Sequence, residues 1–528
     1  MKKWFAGVDG TIFGGSAAIY AVLFLFIIIA PTMAEKVISD TLSFTFNKVG
    51  WVYLLGCTGL FVALLFVAFG PYGKIKLGQA DDKPEYSFIS WMGMLFGAGI
   101  GSGLVYFGVN EPMTHFINAP IEAGGSPAAA VDGLRLTFMH WGVHPWALYC
   151  AAGLAMAYFQ YKRGLPNRIS SCFEPMLGRA NLNGVVAKII DIFALVATLC
   201  GIATSVGFAS TQFAAGISLQ YGLPSGFQTI ALVILFIGLV STISAMKGVA
   251  KGIKIISDLN MWIVLFFVVF MLIVGSTLFE INILLEAIGS FFNKLPAASL
   301  FNDTTGVVEA KAGYDWVSGW MVFYYAWWLA FAPFVGGFLA NISKGRTIKE
   351  FILACLFAPT VLCFVWFSFF GGTAIDWTLT GKVSQEIIDV LANNSQESLV
   401  VFLGQLPFST LTIVISLVFT MTLIITSVNS GAYTMGLMSS GAKQAEPTLA
   451  LRAFWGTFIA LNALLFLWLG GGGMQTLRNT SMVAAFPFLF VLLLMFTNAL
   501  RSLHQHYGEV DDCAKLTTAS ALSTNKGE

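Results

Sequence analysis

The chain has 528 residues, of which 57% are hydrophobic and only 10% charged, with a mean hydropathy of +0.79 and a formal net charge of +1. Soluble domains sit near about 45–50% apolar and about 25% charged, so this much apolar surface calls for lipid, and the class is a polytopic membrane protein. A charge this close to neutral gives no electrostatic case for nucleic acid, and seven cysteines without paired spacing argue against a disulfide framework or a cysteine metal site.

In chain order, apolar runs fall at 11–33, 50–70, 88–108, 136–161, 187–218, 226–246, 259–279, 316–341, 350–371, 410–438, 449–470 and 479–500. Each is long enough to cross about 30 Å of hydrocarbon, which predicts an all-α protein of twelve transmembrane helices. Glu280–Leu295, amphipathic and short, reads as a helix lying in the interface. With both termini in the cytoplasm, the 28 Lys and Arg leave only Lys36, Lys48, Arg135, Lys294, Lys311, Lys382 and Arg478 outside. That asymmetry satisfies the positive-inside rule.

Two spans carry interruptions. Five glycines crowd Gly93–Gly103 in the third, and Ala332-Pro333-Phe334-Val335-Gly336-Gly337 lies in the eighth. Five spans separate them, so groups 3–7 and 8–12 are inverted relative to each other, and broken helices at matching positions point to a midplane substrate site. The plainer reading of the glycines is close packing of small-xxx-small type. Both interruptions are expected to break their helices.

The spans carry little charge: Asp191 and Asp258 fall toward cytoplasmic ends, and Glu111 and Asp315 toward outer ends. Without a mid-depth carboxylate, the pattern favours a substrate of zero net charge, or a cation held without an ion pair. Aromatic rings offer such a hold. On a helix, Trp141, Tyr149 and Trp146 lie at roughly 0°, 80° and 140°, and Trp328, Tyr324 and Phe331 fall within about 60° of one another. A trimethylammonium group gains about 0.5–2 kcal/mol from each ring face. The alternative is an interfacial belt or packing. His140 and His144, at i and i+4, have metal-ligand spacing but no evident third ligand, and read as packing histidines. In the tenth span, Thr426 and Ser427 either bond back to helix carbonyls or offer hard oxygen ligands to sodium. No nucleophile–base constellation suggests an enzyme.

At these residues the sequence resembles the betaine/carnitine/choline transporter family. The matching stretches are Phe107-Gly108-Val109-Asn110-Glu111-Pro112, His140-Trp141-Gly142 through Tyr149, and Trp327-Trp328 running to Ile342-Ser343-Lys344-Gly345-Arg346-Thr347-Ile348-Lys349-Glu350. The resemblance implies a LeuT-type fold: a cytoplasmic tail over 1–10, two extra helices over 11–86, and a first five-helix repeat over 87–280. An interfacial helix and outer loop follow over 281–313, then an inverted second repeat over 314–500 and a cytoplasmic tail over 501–528. A homotrimer in the bacterial inner membrane is implied as well.

By the same resemblance, Trp141, Trp146, Tyr149 and Trp328 form an aromatic box for a quaternary ammonium, with Trp327 beside it. Phe331 stands where sodium-coupled betaine carriers have a further Trp. Gly99, Gly101 and Gly103 complete the implied substrate-binding set; Gly103 occupies the place where proton-coupled choline carriers carry an Asp. Thr426 and Ser427, with carbonyls of Gly97, Ile100 and Leu423, match a sodium site. Thr198 and Phe334 match part of a second, in which Ile202 replaces a Thr. The implied function is sodium symport of an onium zwitterion such as glycine betaine, with Na+ as coupling ion and no cofactor. Alternatives are sodium-independent exchange of carnitine-like compounds, or carriage of dimethylsulfoniopropionate, trimethylamine oxide or choline. Residues 501–528 set Arg501, Lys515 and Lys526 against Glu509, Asp511, Asp512 and Glu528, a poor match for a segment that senses anionic lipid, so no strong osmotic activation is expected.

Overall fold

The computed structural model describes residues 7–99, 101–246, 249–441, 446–469 and 474–524. Ile100, one of the expected sodium ligands, and the ends of both tails lie outside the described residues. Every regular element among the described residues is helical. The chain runs α1 Gly10–Ile29, α2 Pro31–Phe69, α3 Phe88–Gly99, α4 Gly103–Phe107, α5 Asn110–Ile117, α6 Pro127–Trp141, α7 Val143–Tyr161, α8 Glu174–Leu177, α9 Val185–Tyr221 and α10 Phe227–Met246. It continues through α11 Val249–Val274, α12 Thr277–Ser299, α13 Val307–Ala312, α14 Phe323–Ile342, α15 Ile348–Leu379, α16 Gln385–Asn393, α17 Ser398–Gly404, α18 Ser409–Met438, α19 Leu449–Leu469 and α20 Gln475–Thr524. Among the described residues, ten helices are long and apolar enough to cross a membrane, and the protein is a polytopic membrane protein.

Local chemistry sets the helix ends. The Asp9 carboxylate accepts from the backbone N–H of Thr11 (3.1 Å) and Ile12 (3.2 Å), capping α1. Pro31 opens α2, ending α1 earlier than the apolar run at 11–33 suggests, and the polar stretch before Gly50 joins α2 as helix. Ser126 caps α6 with Pro127 in its first turn, and the Thr347 hydroxyl caps α15.

The third apolar run breaks as expected: α3 stops at Gly99, Gly101 takes φ +55°, and the chain restarts in α4 and again in α5. The fourth run is also interrupted, at Gly142, between α6 and α7. These two runs are absent from the ten continuous crossings. The eighth corrects the expectation, because α14 passes unbroken through Ala332–Gly337 with Pro333 inside it. Its irregularity lies upstream, in a π-helical turn over Val317–Val322. Gly336 serves close packing instead: a Cβ there would meet Ala152 Cβ at 2.5 Å and the Gly153 nitrogen at 3.0 Å. Helices α7 and α14 thus cross almost backbone to backbone at the centre of the molecule. Residues Val143–Phe159 of α7 are all buried, and so is 94% of the apolar window of α14. By contrast α1 is only 22% buried, and Ile29, Phe66, Leu232, Trp262 and Ile273 turn outward toward the hydrocarbon such a surface requires.

The stretch Ile342–Glu350 is a clamp between two helix hairpins. Gly345 N–H donates to Leu77 O (2.7 Å), Leu77 N–H to Arg346 O (2.8 Å), and Ile348 N–H to Ile75 O (2.8 Å). Arg346 lies 4.6 Å from the Trp91 ring and bonds Glu350 (2.6 Å), while Trp91 Nε1 donates to Ser343 Oγ (3.0 Å). This long motif therefore fixes the start of the broken third run against the end of α14.

Gly336→Val should overpack the α7–α14 crossing and cost about 2 kcal/mol or more, whereas Gly404→Ala, with open space at its Cβ, should stay within about 0.5 kcal/mol of wild type. Thermal unfolding of the purified protein in detergent checks both.

Candidate functional site

The α7–α14 crossing and the break between α3 and α4 bring aromatic rings of α6, α7 and α14 to one place. Trp328 of α14 lies 5.4 Å from Trp141 (83° between planes), 5.8 Å from Trp146 and 5.2 Å from Tyr149. Trp146 and Tyr149 meet edge to face at 5.6 Å. Four rings thus enclose a box, all of them buried. Trp327 closes one side, 6.3 Å from Trp141 and 6.4 Å from Trp328. The indole Nε1 atoms of Trp327 and Trp328 are buried without a hydrogen-bond acceptor. Phe331 does not join the four rings; its ring neighbours are Trp327 (6.2 Å) and Phe334 (6.5 Å).

The glycines at the break have defined places. A Cβ on Gly99 would lie 2.3 Å from Trp146 Cη2, and one on Gly103 would lie 2.7 Å from Trp327 Cη2 and 2.9 Å from Trp141 Cη2. Only glycine lets this backbone touch the box. The Cβ position of Gly101 points at Ser427 Oγ, 3.8 Å away, so the break faces the hydroxyl pair of α18. Thr426 and Ser427 are buried and both donate to Leu423 O at 3.0 Å; Thr426 also bonds Thr422 O. Gly97 lies on the last turns of α3. Thr198 and Phe334 are fully buried, and the Thr198 hydroxyl has no partner, an unused hard oxygen. No hydroxyl supplements it at Ile202, which packs toward Gly431.

A carboxylate that sequence reading placed among outer-end charges belongs to the site. Glu111, on the first turn of α5, is fully buried. Trp141 Nε1 donates to its Oε2 at 2.7 Å, the Tyr324 hydroxyl donates to the same oxygen, and His140 Nδ1 lies 2.7 Å from Oε1. His115 approaches Oε1 at 3.8 Å and packs against Trp320. Glu111, His115 and His140 bring their ligand atoms within 4.8 Å of one another, so the neighbours of His140 come from α5 and not from His144. His144 turns away toward Phe61 and Tyr325. The donors already on Glu111 make it an anchor for the box wall: it holds the outer edge of Trp141 and ties α5, α6 and α14 together. The available signal was an ionisable residue between Gly108 and Pro112 in an apolar run.

Phe107 and Phe208 form a further ring layer, 6.1 Å and 5.2 Å from Trp327, with Phe107 also 6.1 Å from Trp141. Phe107 opens one of the family-matching stretches without marking itself as a site ring, and Phe208 is one phenylalanine among 48.

The profile of the betaine/carnitine/choline family of transporters matches residues 11–508. The chain belongs to this family. It is 36% identical over 501 residues to the glycine betaine transporter OpuD of Bacillus subtilis, covering 94% of this chain and 95% of the relative. It is 34% identical over 506 residues to a probable glycine betaine transporter of Desulfitobacterium hafniense (95% and 99% covered). It is 35% identical over 507 residues to glycine betaine transporter 1 of Vibrio parahaemolyticus (95% and 94% covered). The protein is therefore a transporter of this family and not an enzyme.

Glu111→Ala should strand the Trp141 and Tyr324 donors, at about 1–3 kcal/mol each, and weaken substrate binding at least about tenfold. Glu111→Gln, which keeps an acceptor, should recover most of the thermal stability. Tryptophan-fluorescence titration together with thermal unfolding separates the two effects.

Proposed function

We propose that this chain imports an onium zwitterion such as glycine betaine by sodium symport. The observation that carries the reading is the closed box of Trp141, Trp146, Tyr149 and Trp328. Ring faces suit a permanent cation that offers no hydrogen bonds, and about 0.5–2 kcal/mol per ring, more when dry, makes four rings an effective hold. The unpartnered indole N–H groups of Trp327 and Trp328 add donors for a substrate that also carries an acceptor, which favours a zwitterion. The glycine betaine transporters among its relatives agree with that substrate class.

Sodium is assigned to the space between the break and α18, where Gly101 faces Ser427. Thr426, Ser427 and the carbonyls of Gly97, Ile100 and Leu423 are its proposed ligands, with Thr198 and Phe334 marking a second, poorer site. Sodium bound there pins the broken helix to α18 and shapes the box, so each ligand favours the other by linkage. A second reading, exchange without sodium, draws support from the bonds Thr426 and Ser427 already make to Leu423 O, the pattern of packing hydroxyls.

The proposed architecture is twelve spans in two inverted repeats, 87–280 and 314–500, after two extra helices, with the broken runs α3–α5 and α6–α7 as third and fourth crossings. Contacts between segments assigned to one side support the orientation. Asp9 bonds Lys188 (3.1 Å) and the Ser439 carbonyl (3.0 Å) on the proposed cytoplasmic side. Lys294 bonds Asp132 (3.0 Å), and Lys311 bonds Ile121 O (2.9 Å), on the outer side. Helix α12 is the interfacial helix of this scheme, and the proposed assembly is a homotrimer in the bacterial inner membrane.

Trp328→Leu should raise the KM for labelled glycine betaine at least about tenfold in proteoliposomes while the unfolding temperature changes little; an unchanged KM removes the box from the mechanism. The double variant Thr426→Ala, Ser427→Ala should raise the sodium concentration for half-maximal uptake about tenfold or more. Uptake indifferent to sodium in wild type, and accelerated by substrate preloaded inside, would establish exchange instead.

A further inference from the structure

Arg478 is the outlier among the outer cations. Lys36 pairs with Asp40 (2.7 Å), Arg135 and Lys294 with Asp132 (2.7 and 3.0 Å), Lys382 with Asp376 (3.6 Å), Lys311 bonds two carbonyls, and Lys48 is exposed. Arg478, near the start of α20, is only partly exposed; its Nε is sealed from solvent without a hydrogen-bond partner, and it makes no ion pair among the described residues. A charge in such a place is costly and marks function by default.

Its surroundings fit an anion. The guanidinium carbon lies 3.9 Å from the Phe323 ring centroid, and stacking uses the face of the guanidinium while leaving its in-plane N–H fork free. The titratable groups that act on it are three phenols, Tyr106, Tyr314 and Tyr324. The Tyr314 hydroxyl accepts from Trp320 Nε1 (2.9 Å), so its own hydrogen remains for donation, whereas the Tyr106 hydroxyl is held between Ser395 Oγ (2.9 Å) and Thr211. Tyr324 is spent on Glu111. The position is one ring beyond the box: Phe323 stacks on Trp327 at 5.9 Å and 9° between planes.

We infer that Arg478, with the free phenol hydrogen of Tyr314 beside it, is a carboxylate-binding point outside the box that captures the anionic end of a zwitterionic onium compound on its way in. This rests on the onium reading above and deepens it, since the site separates zwitterions from onium cations of equal bulk. A bidentate guanidinium–carboxylate contact is specific to charge and shape. The box alone reads only the methylated head.

The test uses cells expressing the full chain, labelled glycine betaine as substrate and unlabelled betaine amide, the same head with a neutral tail, as competitor. Wild type should favour betaine over the amide. Arg478→Gln should raise the betaine KM about tenfold and leave the amide inhibition constant within about twofold, and Arg478→Lys should fall between. If Arg478→Gln weakens betaine and amide equally, the residue is only a stacking partner of Phe323 and the inference fails. It fails equally if neither constant changes. A wild type that recognises neither compound overturns the onium reading itself, and this inference with it, whereas Trp328→Leu losing both compounds alike upholds the box independently of Arg478.

Discussion

A carboxylate placed where no water reaches must be met by polar partners, and Glu111, itself on α5, draws them from α6 and α14. Trp141 comes from the last turn of α6, Tyr324 from the first turns of α14, and His140 lies beside Trp141. Isolated, such a charge would be prohibitive in an apolar interior; surrounded by donors, it becomes a fixed point around which elements must assemble in one register. The ring orientations of the box follow from it. The Trp141 indole satisfies Glu111 through its Nε1 edge, and its ring stands at 83° to that of Trp328.

The second constraint is steric and belongs to glycine. Gly99 and Gly103 flank the break and let backbone reach ring edges where any Cβ would collide, while Gly336 and Gly153 bring α7 and α14 together. These two uses of glycine have opposite consequences. At the break it frees the chain from helical dihedrals, with Gly101 left-handed; at Gly336 it preserves an unbroken helix and shortens the distance between two of them. Sequence alone does not separate the two, because both read as small residues in an apolar run. The third run therefore breaks at its glycines, whereas the eighth, with similar small residues, stays helical.

What could be read from the chain and what could not divides along the same line. The helical segments, the break at Gly99–Gly103 and the shared faces of Trp141, Trp146, Tyr149 and of Trp328 depend on local periodicity, and periodicity is written in sequence. The membership of Glu111, the ring layer of Phe107 and Phe208, and the isolation of Arg478 depend on which distant segments meet. Phe331 shows the limit from the other side: it shares a helical face with Trp328, yet its packing against Trp327 and Phe334 keeps it off the four-ring box. A helical wheel gives direction but not depth or tilt, and one residue of displacement along α14 decides which rings touch.

The charges around the site are sparse and ordered, and that order bears on transport. The box has no ionised group in its own walls, so the proposed cation would be held through ring quadrupoles, with no salt bridge to surrender when it leaves. The carboxylate that orients it stands one residue layer back, already occupied by its own donors. An arrangement of this kind suits a carrier better than a receptor. Buried ion pairs with the substrate would be costly to break twice per cycle, whereas several moderate ring contacts can be released as helices move apart. Selectivity then has to come from somewhere other than tight pairing in the box, and polar groups outside it, met in sequence along the path, can supply it without deepening the well from which the substrate must escape.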